Sequence, residues 1–366
     1  MVSATPMDIN AFKLCDINWC TVRVGRQHHL AGAERQDKVG LYLAPREALV
    51  RFAIVGVLDS DHVRAVDQVS FSISSAETFG LVGESGSGKS TAGNAAIGLQ
   101  TLTAGNVFYR GLPIPARRDP KWREMRRQLQ IVFQDPYSSL NPRRIIAQAL
   151  TEPLALHKLV KPSEYTDEIV RLLKLVGLPP EVAKCHPNEL SGGQRQRVGI
   201  ARALAVKPEI IVCDEITSAL DVSTQAQIIS LLSNLKKNTH IALLFISHDL
   251  GLVRTIADKI GVMYLGKIVE TGPTSEVFSK PYHPYTRALI SAAPVPDPDR
   301  EIQRHHSPLK GEIPDPANPP SGCYFSTRCQ HVTSLCKQKV PAMTKVSPSH
   351  SVACHHQDVI RKEALF

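Results

Sequence analysis

One glycine-rich segment of this 366-residue chain has the residue types and spacing of a phosphate-binding loop. The segment Gly83-Glu84-Ser85-Gly86-Ser87-Gly88-Lys89-Ser90 matches G-x-x-x-x-G-K-[ST] at every fixed position, between an apolar run at Thr78–Val82 and a helix-compatible run from Thr91. Its glycines let backbone N–H groups surround a phosphate, and the start of the following helix attracts negative charge. We expect residues 83–91 to bind a nucleotide, with Lys89 on the β- and γ-phosphates and the Ser90 hydroxyl on Mg²⁺.

Two acidic residues follow an apolar strand pattern further along the chain. The run Glu209–Cys213 is mostly apolar and is followed by Asp214 and Glu215. Carboxylates at a strand end are common and often have a structural role. This pattern therefore indicates a catalytic site only in combination with the phosphate loop upstream. In that context we expect Asp214 to bind Mg²⁺ and Glu215 to polarise the attacking water.

Polar residues also follow two other predicted strands. His248 comes directly after the apolar run Ile241–Ser247, and Gln134 comes after Gln128–Phe133. Open α/β sheets bind ligands beyond the carboxyl ends of their strands, where these side chains would meet the phosphate loop. We therefore predict that His248 contacts the γ-phosphate and that Gln134 contacts the metal or the water.

A second glycine-rich element, Leu190-Ser191-Gly192-Gly193-Gln194, precedes the helix-compatible run Arg195–Ala205. Ser191 and the N–H groups of Gly192, Gly193 and Gln194 would form another anion-binding helix start. Because one chain has one γ-phosphate to bind, two such sites indicate that each serves a different nucleotide. The sequence therefore predicts a head-to-tail pair of domains with a nucleotide at each seam, and Asp221 beside that seam.

The fold class predicted from the pattern is α/β. Strand and helix patterns alternate from about Ala65 to Lys280, which is typical of a parallel sheet with covering helices. We expect a flexible extension at 1–48, a nucleotide-binding domain at 49–280 and a small proline- and cysteine-rich domain at 281–366, where the proline spacing excludes long helices.

Composition narrows the class of protein. The chain is 43% hydrophobic and 21% charged, with no apolar run long enough to span a bilayer and no pattern expected of a secretory signal. A formal charge of +9 suits nucleic acid, an anionic membrane face or acidic partners, and does not choose among them.

Four of the eight cysteines lie near the C-terminus, at Cys323, Cys329, Cys336 and Cys354. Their spacing is neither that of a standard zinc ribbon nor that of a bacterial ferredoxin. Four thiolates could hold a [4Fe–4S] cluster; zinc, with His331 or His355, and unliganded buried thiols are the alternatives.

The order of these motifs is similar to that of ATP-binding cassette (ABC) ATPases over about residues 64–280. Four further segments resemble the ATPases of oligopeptide and dipeptide importers: Phe133–Arg143, His283–Leu289, Gly311–Pro314 and Asn318–Cys323. The segment Ala292–Pro298 looks like the second of the two ATPase subunits that such importers use.

This resemblance implies a P-loop NTPase fold with a parallel core sheet, an antiparallel β subdomain and a helical signature subdomain. It implies hydrolysis of ATP with Mg²⁺ to energise import of peptides or, in relatives, of nickel or glutathione. The expected partners are a related ATPase subunit in a heterodimer, two membrane permeases and an extracytoplasmic binding protein, with no nucleic acid. The expected location is the cytoplasmic face of the inner membrane, and the resemblance favours the [4Fe–4S] cluster.

Two alternatives belong to other classes. One is a soluble cassette ATPase that acts on nucleic acid or ribosomes, which usually has two cassettes per chain, whereas one set of motifs occurs here. The other is an exporter subunit, which the C-terminal segments disfavour. The chain also departs from the resembled family, because 57–62 has no aromatic residue to stack on adenine except the imidazole of His62. His62 and the earlier Phe52 are the two candidates to take its place, and the sequence does not choose an adenine-stacking residue.

Overall fold

The computed structural model describes residues 48–59, 63–115, 117–293 and 311–362. These residues belong to one compact unit. The predicted extension at 1–48 therefore lies outside the described residues, apart from Ala48, where the first strand begins.

Twelve strands occur in the described residues: β1 (Ala48–Asp59), β2 (Val63–Ser74), β3 (Thr78–Val82), β4 (Ala104–Tyr109), β5 (Leu112–Pro113), β6 (Leu129–Val132), β7 (Ile210–Asp214), β8 (Ala242–Ser247), β9 (Lys259–Tyr264), β10 (Lys267–Pro273), β11 (Thr344–Lys345) and β12 (Ser351–Val352). The α-helices of this part of the chain are α1 (Lys89–Ala96), α2 (Lys121–Gln128), α3 (Pro136–Ser139), α4 (Ile146–Leu156), α5 (Tyr165–Leu175), α6 (Gly192–Leu204), α7 (Val222–Thr239), α8 (Leu250–Ile256), α9 (Thr274–Ser279), α10 (Pro284–Ala292), α11 (Ser334–Gln338) and α12 (Gln357–Lys362). Short 3₁₀ turns cover Pro162–Glu164, Pro180–Lys184 and Pro187–Glu189.

A mixed sheet of eight strands forms the centre of the fold, in the order β11-β12-β10-β9-β3-β8-β7-β6. Its middle strands are parallel, since β3 pairs with both β8 and β9 and β7 pairs with both β6 and β8. Strands β3, β7 and β8 are buried along their whole length. Such strands are nearly continuous apolar runs, which is why the sequence pattern located all three within one residue.

The register of the parallel strands brings the predicted site residues to one edge of the central sheet. Val82 is opposite Ser247, and Asp214 is opposite Ile246. Consequently the phosphate loop after β3, the acids at the end of β7 and the histidine after β8 leave the sheet at the same side.

A second sheet is antiparallel, with the order β2-β1-β4-β5. The side chains of β2 alternate between the two faces of the sheet, because Val69, Phe71 and Ile73 are buried between more exposed neighbours. These side chains pack against β3 and α1, and the Phe71 and Phe79 rings stack with centroids 4.7 Å apart. The resulting apolar layer holds α1 against both sheets.

Helices α4, α5 and α6 pack on one another, α6 contacts β6 of the central sheet, and all three share its larger core. Their buried faces include Leu150, Leu172 and Val198, which belong to the same cluster as Cys213 and Phe245 of the sheet. Cys213 of β7 is fully buried.

The proline-rich C-terminal region contributes strands to the central sheet. Glu270 of β10 is opposite Val352 of β12, and β12 also pairs with β11. The helices in the described residues of this region are short, as the proline spacing predicts: α10 has nine residues, α11 five and α12 six. Nowhere in the described ranges is a helix both long and apolar enough to cross a membrane.

Two leucines of α4 give a matched test of this core. Leu150 is fully buried, whereas Leu156 is 54% exposed. We expect Leu150→Ala to destabilise the protein by about 2–5 kcal/mol, because it removes buried methyl groups and leaves a cavity. Leu156→Ala is expected to change the stability by no more than about 0.5 kcal/mol. Urea denaturation followed by intrinsic fluorescence measures both, and equal shifts in the two midpoints would contradict the packing described.

Candidate functional site

The phosphate loop lies between β3 and α1, and its glycines are required by the backbone. Gly83 has φ 154°, Gly86 has φ 76° and Gly88 has φ 97°. A Cβ on Gly83 would lie 2.1 Å from the carbonyl oxygen of Met263, and one on Gly88 would lie 2.0 Å from that of Ala65. Any other residue at these two positions would therefore push the loop away from its supporting strands.

The Lys89 ammonium group is held inside this loop. It is 4% exposed and donates hydrogen bonds to the carbonyl oxygens of Gly83 (2.9 Å) and Glu84 (2.8 Å). Burial lowers the pKa of Lys89, and the nearby carboxylates of Glu215, Asp214 and Glu84 oppose that shift. A phosphate entering the loop would supply the negative charge that this buried cation lacks.

Ser90 and Asp214 bring two oxygen atoms together at the start of α1. The Ser90 hydroxyl donates a 2.9 Å hydrogen bond to Oδ1 of Asp214. Burial raises the pKa of Asp214, while the bond from Ser90 and the charge of Lys89 lower it in part. Hydroxyl and carboxylate oxygens suit Mg²⁺, which keeps several waters and binds substrate phosphates besides one or two protein ligands. The donor set therefore fits the predicted magnesium site.

Glu215 and His248 face each other beyond the ends of β7 and β8. Nδ1 of His248 is 3.7 Å from Oε1 of Glu215, and the Glu215 N–H donates to the carbonyl of Ile246 at 3.0 Å. Glu215 has φ 47°, a left-handed conformation that turns the chain out of the strand direction. The structure thus pairs the predicted water-polarising residue with the predicted γ-phosphate contact.

Gln134 reaches the same region from the end of β6. Its Nε2 donates to the Ser218 hydroxyl at 3.3 Å, and that hydroxyl donates to the carbonyl of Glu215 at 2.9 Å. Gln134 is exposed, so its side chain is accessible to a metal ion or a water at this edge. Ser218 is the link between Gln134 and the acidic strand.

The second glycine-rich element starts α6 as predicted, although the helix begins at Gly192 rather than at Arg195. The Ser191 hydroxyl accepts from the Gln194 N–H at 3.2 Å, and the Gln194 side chain accepts from the Ser191 N–H at 2.9 Å. In this capping box Ser191 is exposed, whereas Gly192, Gly193 and Gln194 are half-buried. Gly193 is closely approached by α7, because a Cβ there would lie 2.4 Å from Cγ2 of Thr224.

Asp221 caps the N-terminus of α7. Its carboxylate accepts from the Thr224 N–H at 2.9 Å and from the Thr224 hydroxyl at 2.7 Å, and it also accepts from the Ser223 hydroxyl. The hydrogen bond from Ser223, followed by those from Thr224, lowers the pKa of Asp221. The predicted seam residue is thus held beside the element that begins α6.

The four C-terminal cysteines are free thiols. Burial raises the pKa of Cys323 to about 11 and that of Cys354 to about 12. Within the described ranges, no three His, Cys, Asp or Glu side chains are grouped so that they could hold a metal ion. The predicted [4Fe–4S] cluster is therefore not supported.

Two residues of the C-terminal region contact the phosphate loop, and neither contact was predicted from the sequence motifs. The Tyr285 hydroxyl accepts from the Glu84 N–H at 2.9 Å, and Arg328 forms an ion pair with the Glu84 carboxylate. Tyr285 lies in a segment that the sequence marks only by resemblance, and Arg328 lies in none. His62 is outside the described residues, as is the side chain of Phe52, so the adenine contact remains unassigned.

Two family models match the chain. The model of the ABC transporter family matches residues 66–218, and the model of the oligopeptide/dipeptide transporter C-terminal region matches residues 269–336. The first match contains the phosphate loop, Gln134, Ser191 and Asp214, and the second contains Tyr285 and Arg328.

Curated relatives and solved structures agree with these matches. The chain is 48% identical to the oligopeptide transport ATP-binding protein AppF of Bacillus subtilis over 294 residues, which cover 80% of this chain and 89% of that protein. It is 50% identical to the probable peptide ABC transporter ATP-binding protein y4tS of Sinorhizobium fredii over 293 residues, or 80% and 82% of the two chains. The dimeric structure of the ATP-binding cassette MJ0796 with ADP and Pi has a TM-score of 0.56 and 29% identity, covering 62% and 98%. The chain therefore belongs to the ABC transporter family, among the ATP-binding proteins that carry the oligopeptide/dipeptide transporter C-terminal region.

Proposed function

We propose that this chain hydrolyses ATP at the carboxyl edge of its parallel sheet and thereby energises an importer for peptides. One observation carries the chemistry: the Ser90–Asp214 and Glu215–His248 pairs lie at the ends of the neighbouring strands β7 and β8, beside the phosphate loop and the start of α1. This arrangement offers a cradle for phosphate, a metal site and a carboxylate that can act on water.

Each side chain has a distinct task in this proposal. Lys89 exchanges its two carbonyl partners for phosphate oxygens, which relieves the cost of a buried, poorly compensated cation. Ser90 and Asp214 would hold Mg²⁺, which when bound would supply positive charge opposite the phosphates. Glu215 orients and polarises the attacking water, and His248 contacts the γ-phosphate from the next strand.

We infer that two cassettes act together. The residues Ser191–Gln194 are partly exposed and form a helix start that phosphate could approach, whereas the phosphate loop of the same chain already has its own helix. The related cassette MJ0796 is described as a dimer after hydrolysis, which supports a paired assembly. Resemblance of Ala292–Pro298 to a second importer ATPase makes a related but distinct chain the proposed partner.

The peptide cargo and the location rest on the relatives. AppF is named as an oligopeptide transport protein and y4tS as a probable peptide transporter component. We therefore propose two membrane permeases and an extracytoplasmic binding protein as partners, with this chain bound at the cytoplasmic face. Segment 134–143, which begins at Gln134, is the proposed contact that transmits closure to a permease. The proposed domain limits are 49–280 for the ATPase and 281–366 for the C-terminal domain.

Replacing the carboxylate that acts on water should separate binding from hydrolysis. We expect Glu215→Gln to bind ATP with nearly unchanged affinity while turnover falls by about 100-fold or more, because general-base catalysis contributes factors of this order. Equilibrium binding of a fluorescent ATP analogue and release of phosphate measure the two steps. Glu181→Gln, which alters an exposed carboxylate, is the control. Ordinary turnover in Glu215→Gln would remove Glu215 from its proposed role.

The cargo can be tested in cells that lack the gene for this chain. We expect uptake of labelled short peptides to be lost and to return with the wild-type gene but not with Glu215→Gln. Uptake of nickel should be unaffected throughout. Loss of nickel uptake with normal peptide uptake would assign a different cargo to the same ATPase.

A [4Fe–4S] cluster at the four C-terminal cysteines is a hypothesis that can be tested directly. The Cys323 N–H donates to the carbonyl of Cys336 at 2.7 Å, so these two residues are adjacent, although no three His, Cys, Asp or Glu side chains of the described residues form a group that could hold a metal ion. If the cluster exists, anaerobically purified protein should contain about four iron and four sulfide ions per chain and be brown. A colourless, iron-free sample would reject it and leave buried thiols.

A further inference from the structure

Glu84 is the point at which the C-terminal region holds the phosphate loop. Its carboxylate accepts two hydrogen bonds from Arg328, from Nη1 at 2.7 Å and from Nη2 at 3.1 Å. Its backbone N–H donates to the Tyr285 hydroxyl at 2.9 Å. Both the side chain and the backbone of one loop residue are thus held by residues that lie outside the nucleotide-binding motifs.

The burial and geometry of the Glu84–Arg328 ion pair are those of a strong ion pair. The side chain of Arg328 is only 5% exposed and that of Glu84 is 24% exposed, so water screens the pair less than it would at the surface. The two parallel N–H···O bonds fix direction as well as distance. The guanidinium also lies 5.9 Å from the centroid of the Tyr264 ring, which limits its freedom further. Removing one partner would leave the other charge partly buried and unpaired.

Tyr285 is itself held firmly. Its ring centroid lies 4.7 Å from that of Tyr264 and 5.4 Å from that of Phe325. Its N–H donates to Nδ1 of His283, the N-cap of α10, at 3.1 Å. Burial lowers the pKa of His283 to about 3, so the imidazole stays neutral and able to accept that bond. The hydroxyl of Tyr285 therefore has a well-defined position against the loop.

These contacts fix the peptide unit that also holds Lys89. The carbonyl of Gly83 and the N–H of Glu84 belong to one planar peptide group. That carbonyl accepts from Lys89 Nζ at 2.9 Å, while the N–H on the opposite side donates to Tyr285. Rotation of this peptide would break both bonds, so Tyr285 determines the orientation of a peptide next to the cation that meets phosphate.

We propose that Arg328 and Tyr285 are positioning residues that hold the phosphate loop in its binding shape before ATP arrives. This inference rests on the proposed ATP site. Neither residue needs to touch the reacting atoms, because both act through Glu84. Without them the loop is free to leave the binding shape, and the apparent affinity for ATP falls in proportion to the fraction of molecules that remain competent.

Nucleotide affinity of the full-length chain tests the proposal. We expect Arg328→Gln to raise the Kd for a fluorescent ATP analogue roughly tenfold, which corresponds to about 1.4 kcal/mol. Tyr285→Phe removes one hydrogen-bond acceptor and keeps the ring, so a rise of about three- to tenfold is expected. Arg328→Lys keeps the charge without the two parallel bonds and should give a smaller rise than Arg328→Gln.

A double-variant comparison identifies the path through Glu84. If Arg328 acts through the Glu84 carboxylate, Arg328→Gln combined with Glu84→Gln should raise the Kd no more than the larger single change. Multiplied effects of the two substitutions would contradict that path. The control is Arg171→Gln, which removes a similar two-bond ion pair with Glu168 on α5, at 2.7 and 2.8 Å, away from the loop. It should leave the Kd unchanged.

The split between KM and kcat separates positioning from a general loss of structure. In an ATPase assay of the full chain together with its proposed partner subunits, the variants are expected to raise the KM for ATP while kcat stays within about twofold, since the reacting groups are untouched. Equal falls in kcat and in the fraction of folded protein, with an unchanged Kd, would overturn the proposal. A wild-type chain that binds no ATP would instead reject the proposed function, and variants that bind like the wild type would reject only this inference.

Discussion

The parallel pairing of β3, β8 and β7 is the constraint on which the site depends. Parallel strands end on the same side of a sheet, so the loop after β3, the acids after β7 and the histidine after β8 converge without any contact between distant surface loops. The strands are buried along their whole length, and their apolar side chains fill cores on both faces of the sheet. A shift in register would displace Asp214 from Ser90 and disrupt both cores at once, so the same packing that stabilises the fold maintains the geometry of the site.

This edge carries charges that the protein alone does not fully compensate. Burial lowers the pKa of Lys89 and raises the pKa of Asp214, so each group is pushed toward its neutral form. Phosphate and Mg²⁺ bring the opposite charges to these two positions. The binding free energy of nucleotide therefore includes relief of a desolvation cost that folding leaves in place.

The C-terminal region is part of the same structural unit as the site. Strand β12 extends the central sheet through β10, and the buried Glu270 carboxylate accepts from the backbone N–H groups of Tyr282 and His283 as well as from His350. These bonds fix the start of α10, which places Tyr285 against the phosphate loop. A region that differs in composition from the cassette is thus connected to the nucleotide site by a short series of buried hydrogen bonds.

The sequence by itself determined the elements whose signals are local. Gly83–Ser90 is a continuous motif with positive-φ glycines, the buried strands are apolar runs, and Ser191 with Gln194 is a capping box three residues apart. Pairings between residues far apart in the chain were decided only by the tertiary structure. The Gln134–Ser218 contact and the Glu84–Arg328 ion pair join residues separated by 84 and 244 positions, and no spacing rule relates such positions. Whether the four C-terminal cysteines share a ligand also depends on how the chain folds, since their spacing in the sequence does not specify it. Local propensity and periodicity are properties of short segments, whereas the packing of whole elements selects which distant side chains meet.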